Sequence, residues 1–301
     1  LAGGNPAKRI SDRKKQSNLI KNNITEAFEG TKKLLKGGLT LKKIVVLSND
    51  TPHGRVMLNE IVGNKFDFSI TVAQLKLDNK KSILSKSQEI INSNGLKFFL
   101  KKAWRKLSSF RYYGEKFGFF SLKFENQMES IKQISEEHKI DLKSFRNFED
   151  KEFKTWLEGE SFDLIVLAGT PIIKKKIYSS VKYGAINIHL GDIPHFRGLD
   201  AIYRSIINKK DLYITSHYID EYIDLGEIIG KERIDYEEKT VEEIINACTI
   251  ACGKLVISTL KKIQLDHYSY KVINKGKYYS QINLMQIIKL AFKFQLTNKF
   301  K

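Results

Sequence analysis

Two runs limit what this chain can fold into more than any other feature. Lys43-Ile44-Val45-Val46-Leu47 and Asp163-Leu164-Ile165-Val166-Leu167-Ala168 are apolar at every position after the first. A strand with one wet face alternates polar and apolar residues, whereas a run without a polar member has both faces covered, the condition of a central strand in a parallel sheet. From Leu41 onward such short runs alternate with segments of helical periodicity. That order predicts an α/β domain: a Rossmann-like, mostly parallel twisted sheet with helices on both faces and a short helical C-terminal appendage. Strands are expected over 43–48, 67–73, 139–144, 162–168, 185–189, 213–219 and 227–234. Helices are expected over 54–64, 126–137, 150–158, 171–182, 201–208 and 241–263, the last opened by a capping box of Thr240 and Glu243.

Composition narrows the class. The 301 residues are 42% hydrophobic, enough for a real core and about two domains, so disorder is excluded as the main state. No stretch approaches the ~18 consecutive apolar residues of a membrane-spanning helix, and the first residues lack the pattern of a signal peptide. The expected location is the cytoplasm. Cys248 and Cys252 sit four apart in a helical pattern, which favours core packing over a disulfide framework or zinc site, and no metal is expected. The net charge of +18, from 52 Lys+Arg against 34 Asp+Glu, admits phosphate-rich partners: nucleic acid, nucleotide-linked substrates or an anionic membrane surface. Because the excess is mostly lysine in a chain also rich in Ile and Asn, a compositional habit explains it equally well.

The first 38 residues differ from the rest of the chain. They carry Gly3, Gly4, Pro6 and the basic run Lys8–Lys15 and no strand pattern, and they read as a tail (1–14) and a helical, polar linker (15–38) ahead of the α/β domain over 39–240. The opening Gly3-Gly4-Asn5-Pro6-Ala7-Lys8 resembles the exit of the left-handed β-helix in hexapeptide-repeat acyltransferases, which implies an upstream acyltransferase domain. Within the domain, 97–123 interrupts the rhythm with Lys and Arg among aromatics such as Phe98, Trp104, Tyr112 and Phe120. Such interleaving suits single-stranded nucleic acid or a membrane interface, or an insertion packed through its rings. A helix and tail over 241–301 complete the chain.

Chemistry concentrates in Asn187-Ile188-His189, followed by the loop Leu190-Gly191-Asp192-Ile193-Pro194-His195-Phe196-Arg197-Gly198. Alternation puts Asn187 and His189 on one strand face, at the strand's C-terminal end, where open α/β sheets bind ligands. An amide beside an imidazole offers an uncharged donor and a group that titrates near neutrality, a pair suited to holding an oxyanion and moving a proton, or to a structural contact. Downstream, Thr215-Ser216-His217-Tyr218-Ile219-Asp220-Glu221-Tyr222-Ile223-Asp224-Leu225-Gly226 ends a strand in an acidic turn. Asp224 is either an Asx-turn residue or a carboxylate beside His189.

Taken together, Asn-x-His, the Ile-Pro-x-x-Arg-Gly loop and the Thr-x-His-x-Ile-Asp-x-x-Ile-Asp-x-Gly run resemble the 10-formyltetrahydrofolate-dependent formyltransferases over about Leu41 to Asp235. The resemblance implies the formyltransferase fold, 10-formyltetrahydrofolate as co-substrate, and Asn187, His189 and Asp224 as catalytic residues. It implies that folate lies against Ala168, Gly169, Thr170, Pro171, Ile172, Ile173, Asp220 and Tyr222, and that the acceptor meets Asn49, Asp50, Thr51, Pro194, Arg197 and Gly198. His217 is expected to flank the site. The first loop departs from the purine-pathway enzyme's Gly-Gly-Asn pattern, and Leu190-Gly191-Asp192 departs from the Ser-Leu-Leu type run of several members. The methionyl-tRNA branch carries a C-terminal β-barrel, for which the residues after 263 are too few. The expected acceptor is therefore the amino group of a nucleotide-linked amino sugar, as in surface polysaccharide biosynthesis. Alternatives are a methionyl-tRNA formyltransferase-like enzyme, a formyltetrahydrofolate deformylase, and a basic nucleic-acid or membrane-surface module. Nucleic acid is disfavoured as a partner. Weak membrane-surface contact and a homo-oligomer stay open.

Overall fold

A computed structural model describes residues 38–75 and 129–290, apart from 238, 266–268, 272–273, 284 and 287. The acyltransferase-like opening, all but the last residue of the linker and the basic-aromatic insertion over 97–123 lie outside the described residues.

The described strands are β1 (Lys43–Ser48), β2 (Ser69–Leu75), β3 (Asp141–Phe145), β4 (Leu164–Ala168), β5 (Ala185–His189), β6 (Arg197–Gly198), β7 (Leu212–Tyr218), β8 (Ile228–Ile234) and β9 (Tyr278–Tyr279). Seven of them form one sheet in the order β3-β2-β1-β4-β5-β7-β8. The first five run parallel, and β7 and β8 close the far edge antiparallel. The continuous apolar runs are β1 and β4, paired at the centre in the register Ile44 to Leu164 through Ser48 to Ala168. Asp163 fixes that register, since its carboxylate accepts the backbone N–H groups of Lys42 and Lys43 at 2.7 and 3.0 Å.

Strand alternation divides the core in two. Ile44, Val46, Val72, Leu164, Val166, Ile186 and Ile188 point to one face and meet α1 (Pro52–Gly63), α2 (Ile131–Glu137), α5 (Ala201–Ile207) and α6 (Val241–Leu265). Val45, Leu47, Ile165, Leu167 and Ala185 point to the other and meet α3 (Lys151–Gly159) and α4 (Lys175–Tyr178). The capping box at α6 is formed: Thr240 N–H donates to Glu243 at 2.7 Å and Glu243 N–H to Thr240 Oγ1 at 3.2 Å. Helix α6 is long and apolar enough by length and composition to cross a membrane, but most of its apolar window is buried against the body. Cys248 and Cys252 are free thiols on that buried stripe. Burial pushes the Cys248 thiol up to about 12, so it stays protonated.

The helix expected over 171–182 contracts to the single turn of α4. Residues 171–174 form an extended loop. Ile173, Ile177 and Val181 all enter the second core cluster, so helical spacing there reflects a shared destination and not a continuous helix. A second, two-stranded sheet has no counterpart among the expected strands: β6 pairs with β9, bringing the C-terminal segment back beside the site.

Candidate functional site

Strands β5 and β7 are antiparallel neighbours, with Asn187 opposite His217 and His189 opposite Thr215. On each strand these positions alternate with residues that face the other side, so all four side chains stand on one sheet face. They form a polar square on that face. Thr215 Oγ1 donates to Gly191 O at 2.7 Å and accepts Ile193 N–H at 3.3 Å, which binds the following loop to the sheet.

Over this square opens a cavity of about 360 Å³. Leu167 and the loop Thr170–Lys174 form one wall, and the turn Asp220–Asp224 forms the other, with Asn187 and His217 between them. Ile172 and Tyr222 stand at its mouth, 71% and 56% exposed. Of the residues expected to meet folate, Thr170, Pro171, Ile172, Ile173, Asp220 and Tyr222 line the cavity. Ala168 and Gly169 sit behind it: Gly169 has φ +76° and packs so closely on Thr51 that a Cβ would lie 2.0 Å from its hydroxyl.

Asp224 occupies the hub, in the left-handed region at φ 52°. Its Oδ2 accepts Gly198 N–H at 2.8 Å and lies 3.5 Å from His189 Nδ1, while its Oδ1 lies 3.7 Å from His217 Nε2. The strained turn is held by Arg197, which is buried and donates through Nε and Nη2 to Ile223 O at 3.0 and 2.8 Å and through Nη1 to Lys275 O at 2.6 Å. The family resemblance assigns Arg197 to the acceptor. Its guanidinium is instead spent on backbone carbonyls, and Gly198 N–H is spent on Asp224.

The three residues expected to be catalytic converge, though not symmetrically. Asn187 and Asp224 face the cavity. His189 is set behind them, 8% exposed, with Nε2 2.8 Å from Phe196 O and Nδ1 toward Asp224. Both nitrogens therefore face oxygen atoms. Gly191 makes it possible, because a Cβ there would lie 2.6 Å from His189 Nε2. The departure from the Ser-Leu-Leu type run thus has a packing reason.

His217 lines the cavity beside Asn187 and Asp224. It is 1% exposed and has Nε2 3.4 Å from Asn187 Nδ2 and Nδ1 2.8 Å from Tyr218 O. Burial lowers its pKa to about 4, against a smaller raising influence from Asp224. The ring is neutral at physiological pH, and its approach to Asp224 is not an ion pair there. The signal in the sequence is the polar pair Thr215 and His217 at strand spacing, directly opposite Asn187 and His189.

The expected first-loop contacts close on themselves. Asp50 Oδ1 accepts Arg55 Nε at 2.8 Å and Ile131 N–H at 3.0 Å, and Thr51 Oγ1 caps α1 by accepting Gly54 N–H at 3.3 Å. Asn49 is exposed at the rim. Pro194 follows a cis peptide bond in the loop after β5, where Asp192 pairs with His195 and Lys231.

Comparison with known proteins agrees with this geometry. Residues 113–260 match a family model described as formyl transferase. The chain is 33% identical over 136 residues to methionyl-tRNA formyltransferase of Rickettsia rickettsii, covering 44% of this chain and 45% of that protein. It is 33% identical over 138 residues to the same enzyme of Rickettsia felis, again covering 44% and 45%. These matches span less than half the length of the curated relatives. A solved sugar N-formyltransferase from a Shewanella species shares the fold, with a TM-score of 0.51 at 17% identity, over 83% of this chain and 86% of that one. The protein thus contains an α/β domain with the fold of that transferase. Residues 113–260 are similar to the formyl transferase family.

Proposed function

We propose that the protein transfers a formyl group from 10-formyltetrahydrofolate to the primary amine of a nucleotide-linked amino sugar. One observation carries the proposal: Asn187, His217 and Asp224 meet at the floor of a cavity whose walls are the loop and the turn that family resemblance gives to folate. The largely apolar walls suit a pteridine, and Ile172 and Tyr222 at the mouth suit the rest of the cofactor.

The chemistry follows from the donors present. The acceptor amine attacks the formyl carbon, its lone pair forms the new C–N bond, and the carbonyl electrons move to oxygen. Asn187 donates an N–H to that oxyanion, a contact worth about 3 kcal/mol in the transition state when preorganised. Asp224 takes the ammonium proton, directly or through water, and that proton goes on to N10 of the folate as the C–N10 bond breaks. His189, set behind Asp224 with Nδ1 3.5 Å from its Oδ2, holds the carboxylate in place.

The sugar acceptor rests on the neighbourhood of the catalytic turn. The segment carrying β9 places Lys277 over the Tyr279 ring at 5.3 Å, with Lys275 nearby, a surface of cations and a ring that fits a nucleoside diphosphate. Identity with the Rickettsia enzymes favours a second acceptor, methionyl-tRNA. A turnover screen separates these. Tetrahydrofolate released only when a nucleotide amino sugar is present supports the proposal. Release only with methionyl-tRNA moves the acceptor, and equal release without any amine makes the enzyme a deformylase.

A further inference from the structure

We propose that His217 is a positioning residue for formyl transfer: as a neutral ring it accepts an N–H of Asn187 and so dictates that the amide, not its carbonyl, faces the reacting oxygen. The inference rests on the formyl-transfer reading and assigns a role to a residue that the catalytic trio leaves out.

The side chain of an asparagine can present either its donor or its acceptor end, and nothing in the covalent structure chooses between them. Here the choice is made across the sheet. His217 is the direct cross-strand partner of Asn187. Its Nδ1–H is committed to Tyr218 O at 2.8 Å, which leaves Nε2 with a lone pair, and Asn187 Nδ2 lies 3.4 Å from that lone pair. One amide hydrogen goes to the ring, and the other is directed into the cavity.

Reversing the charge shows why neutrality matters. A protonated ring would carry a hydrogen on Nε2, in conflict with the Asn187 N–H and attracted to Asp224 Oδ1 at 3.7 Å. Asn187 would then have to turn its carbonyl toward the ring, and the oxyanion donor would be altered at the same moment that Asp224 lost its freedom to accept a proton. Complete burial prevents this at physiological pH, holding the imidazole near 4. A ring that served only to fill space would need neither the Tyr218 hydrogen bond nor its place opposite Asn187.

The test uses the full chain with His217→Phe, which keeps the volume and removes the acceptor, and His217→Gln, whose amide oxygen can take the place of Nε2. Loss of a directed oxyanion donor costs on the order of 100-fold in kcat, so the Phe variant should fall by about 30-fold or more with KM for 10-formyltetrahydrofolate within about twofold. The Gln variant should regain much of that loss. A Phe variant within about twofold of wild-type kcat, or a Gln variant as impaired as Phe, overturns the proposal. Nitrogen NMR of the wild-type ring decides the point without turnover: protonated Nδ1 and bare Nε2 support it, and a ring protonated on Nε2 overturns it. If the wild type transfers no formyl group to any amine, the formyl-transfer reading fails while the NMR result still stands.

Discussion

The sheet offers two places suited by position to hold a ligand, and they are built in opposite ways. The crevice between β1 and β4 is where the strand order reverses, the usual ligand position in an open α/β sheet. Its described groups satisfy one another: Ser48 Oγ donates to Ala168 O at 3.0 Å, Asp50 is taken by Arg55 and Ile131, and Gly169 rests on Thr51. Across β5 and β7, by contrast, polar groups face a cavity and keep spare valences, one N–H of Asn187 and the Oδ1 of Asp224 among them. Topology alone points to the first region. Hydrogen-bond inventory points to the second, because a site must have something left to offer a substrate.

Substitutions on the two sides should therefore behave differently. The largest effect belongs to Asp224→Asn, which keeps the bond from Gly198 N–H but removes the proton acceptor. Formyl transfer should fall by about 100-fold or more while the thermal midpoint stays close to wild type. Retention of more than a tenth of wild-type kcat would remove Asp224 from the chemistry.

Two histidines link the two regions through pH. Desolvation holds half-buried His53, beside the crevice, and fully buried His217, in the cavity, both at about 4. The unfolded chain protonates them first, near 6.5, so stability is complete above that pH and falls as pH drops toward 4. Each ring contributes at most about 3 kcal/mol to that loss. Urea unfolding at about pH 7 and about pH 5 should show a lower midpoint in acid, and His53→Phe should reduce the difference. A difference of the same size in that variant would mean that other groups carry the acid sensitivity.

Arg197→Ala leaves carbonyls of Ile223 and Lys275 without their donor and should destabilise by about 2 kcal/mol, with a fall in kcat because the Asp224 turn loses its clamp. Full activity in a folded Arg197→Ala protein would show that the turn holds itself. The smallest effect is Gly169→Ala, where the left-handed backbone costs about 1–2 kcal/mol and Thr51 must shift, with little change in kcat. A collapse of kcat there without loss of stability would put the chemistry back in the crevice.

Much of this architecture is legible in the sequence. Strands β1 and β5 have the boundaries that their residues predict, since Lys43–Ser48 and Ala185–His189 are bounded by turn residues and have no competing period. Asn187 and Asp224 are singled out by the family resemblance, since residue type and strand spacing alone leave a structural reading open for both. The pairing of Arg197–Gly198 with Tyr278–Tyr279 is not, for two-residue strands have no periodicity to read and their partners lie far apart in the chain. The roles of His189 and His217 are harder still. Both imidazoles follow the same alternation on neighbouring strands, and only the backbone carbonyls of Phe196 and Tyr218, invisible in a side-chain pattern, fix which ring faces the cavity.

The most direct test asks which region holds folate. Calorimetric titration of tetrahydrofolate should show binding to the wild type and to Arg55→Gln, which alters the crevice. Binding should be lost in Thr170→Trp, where an indole crosses the cavity wall. Binding that survives Thr170→Trp and fails in Arg55→Gln would contradict the assignment of the β5–β7 cavity as the cofactor site.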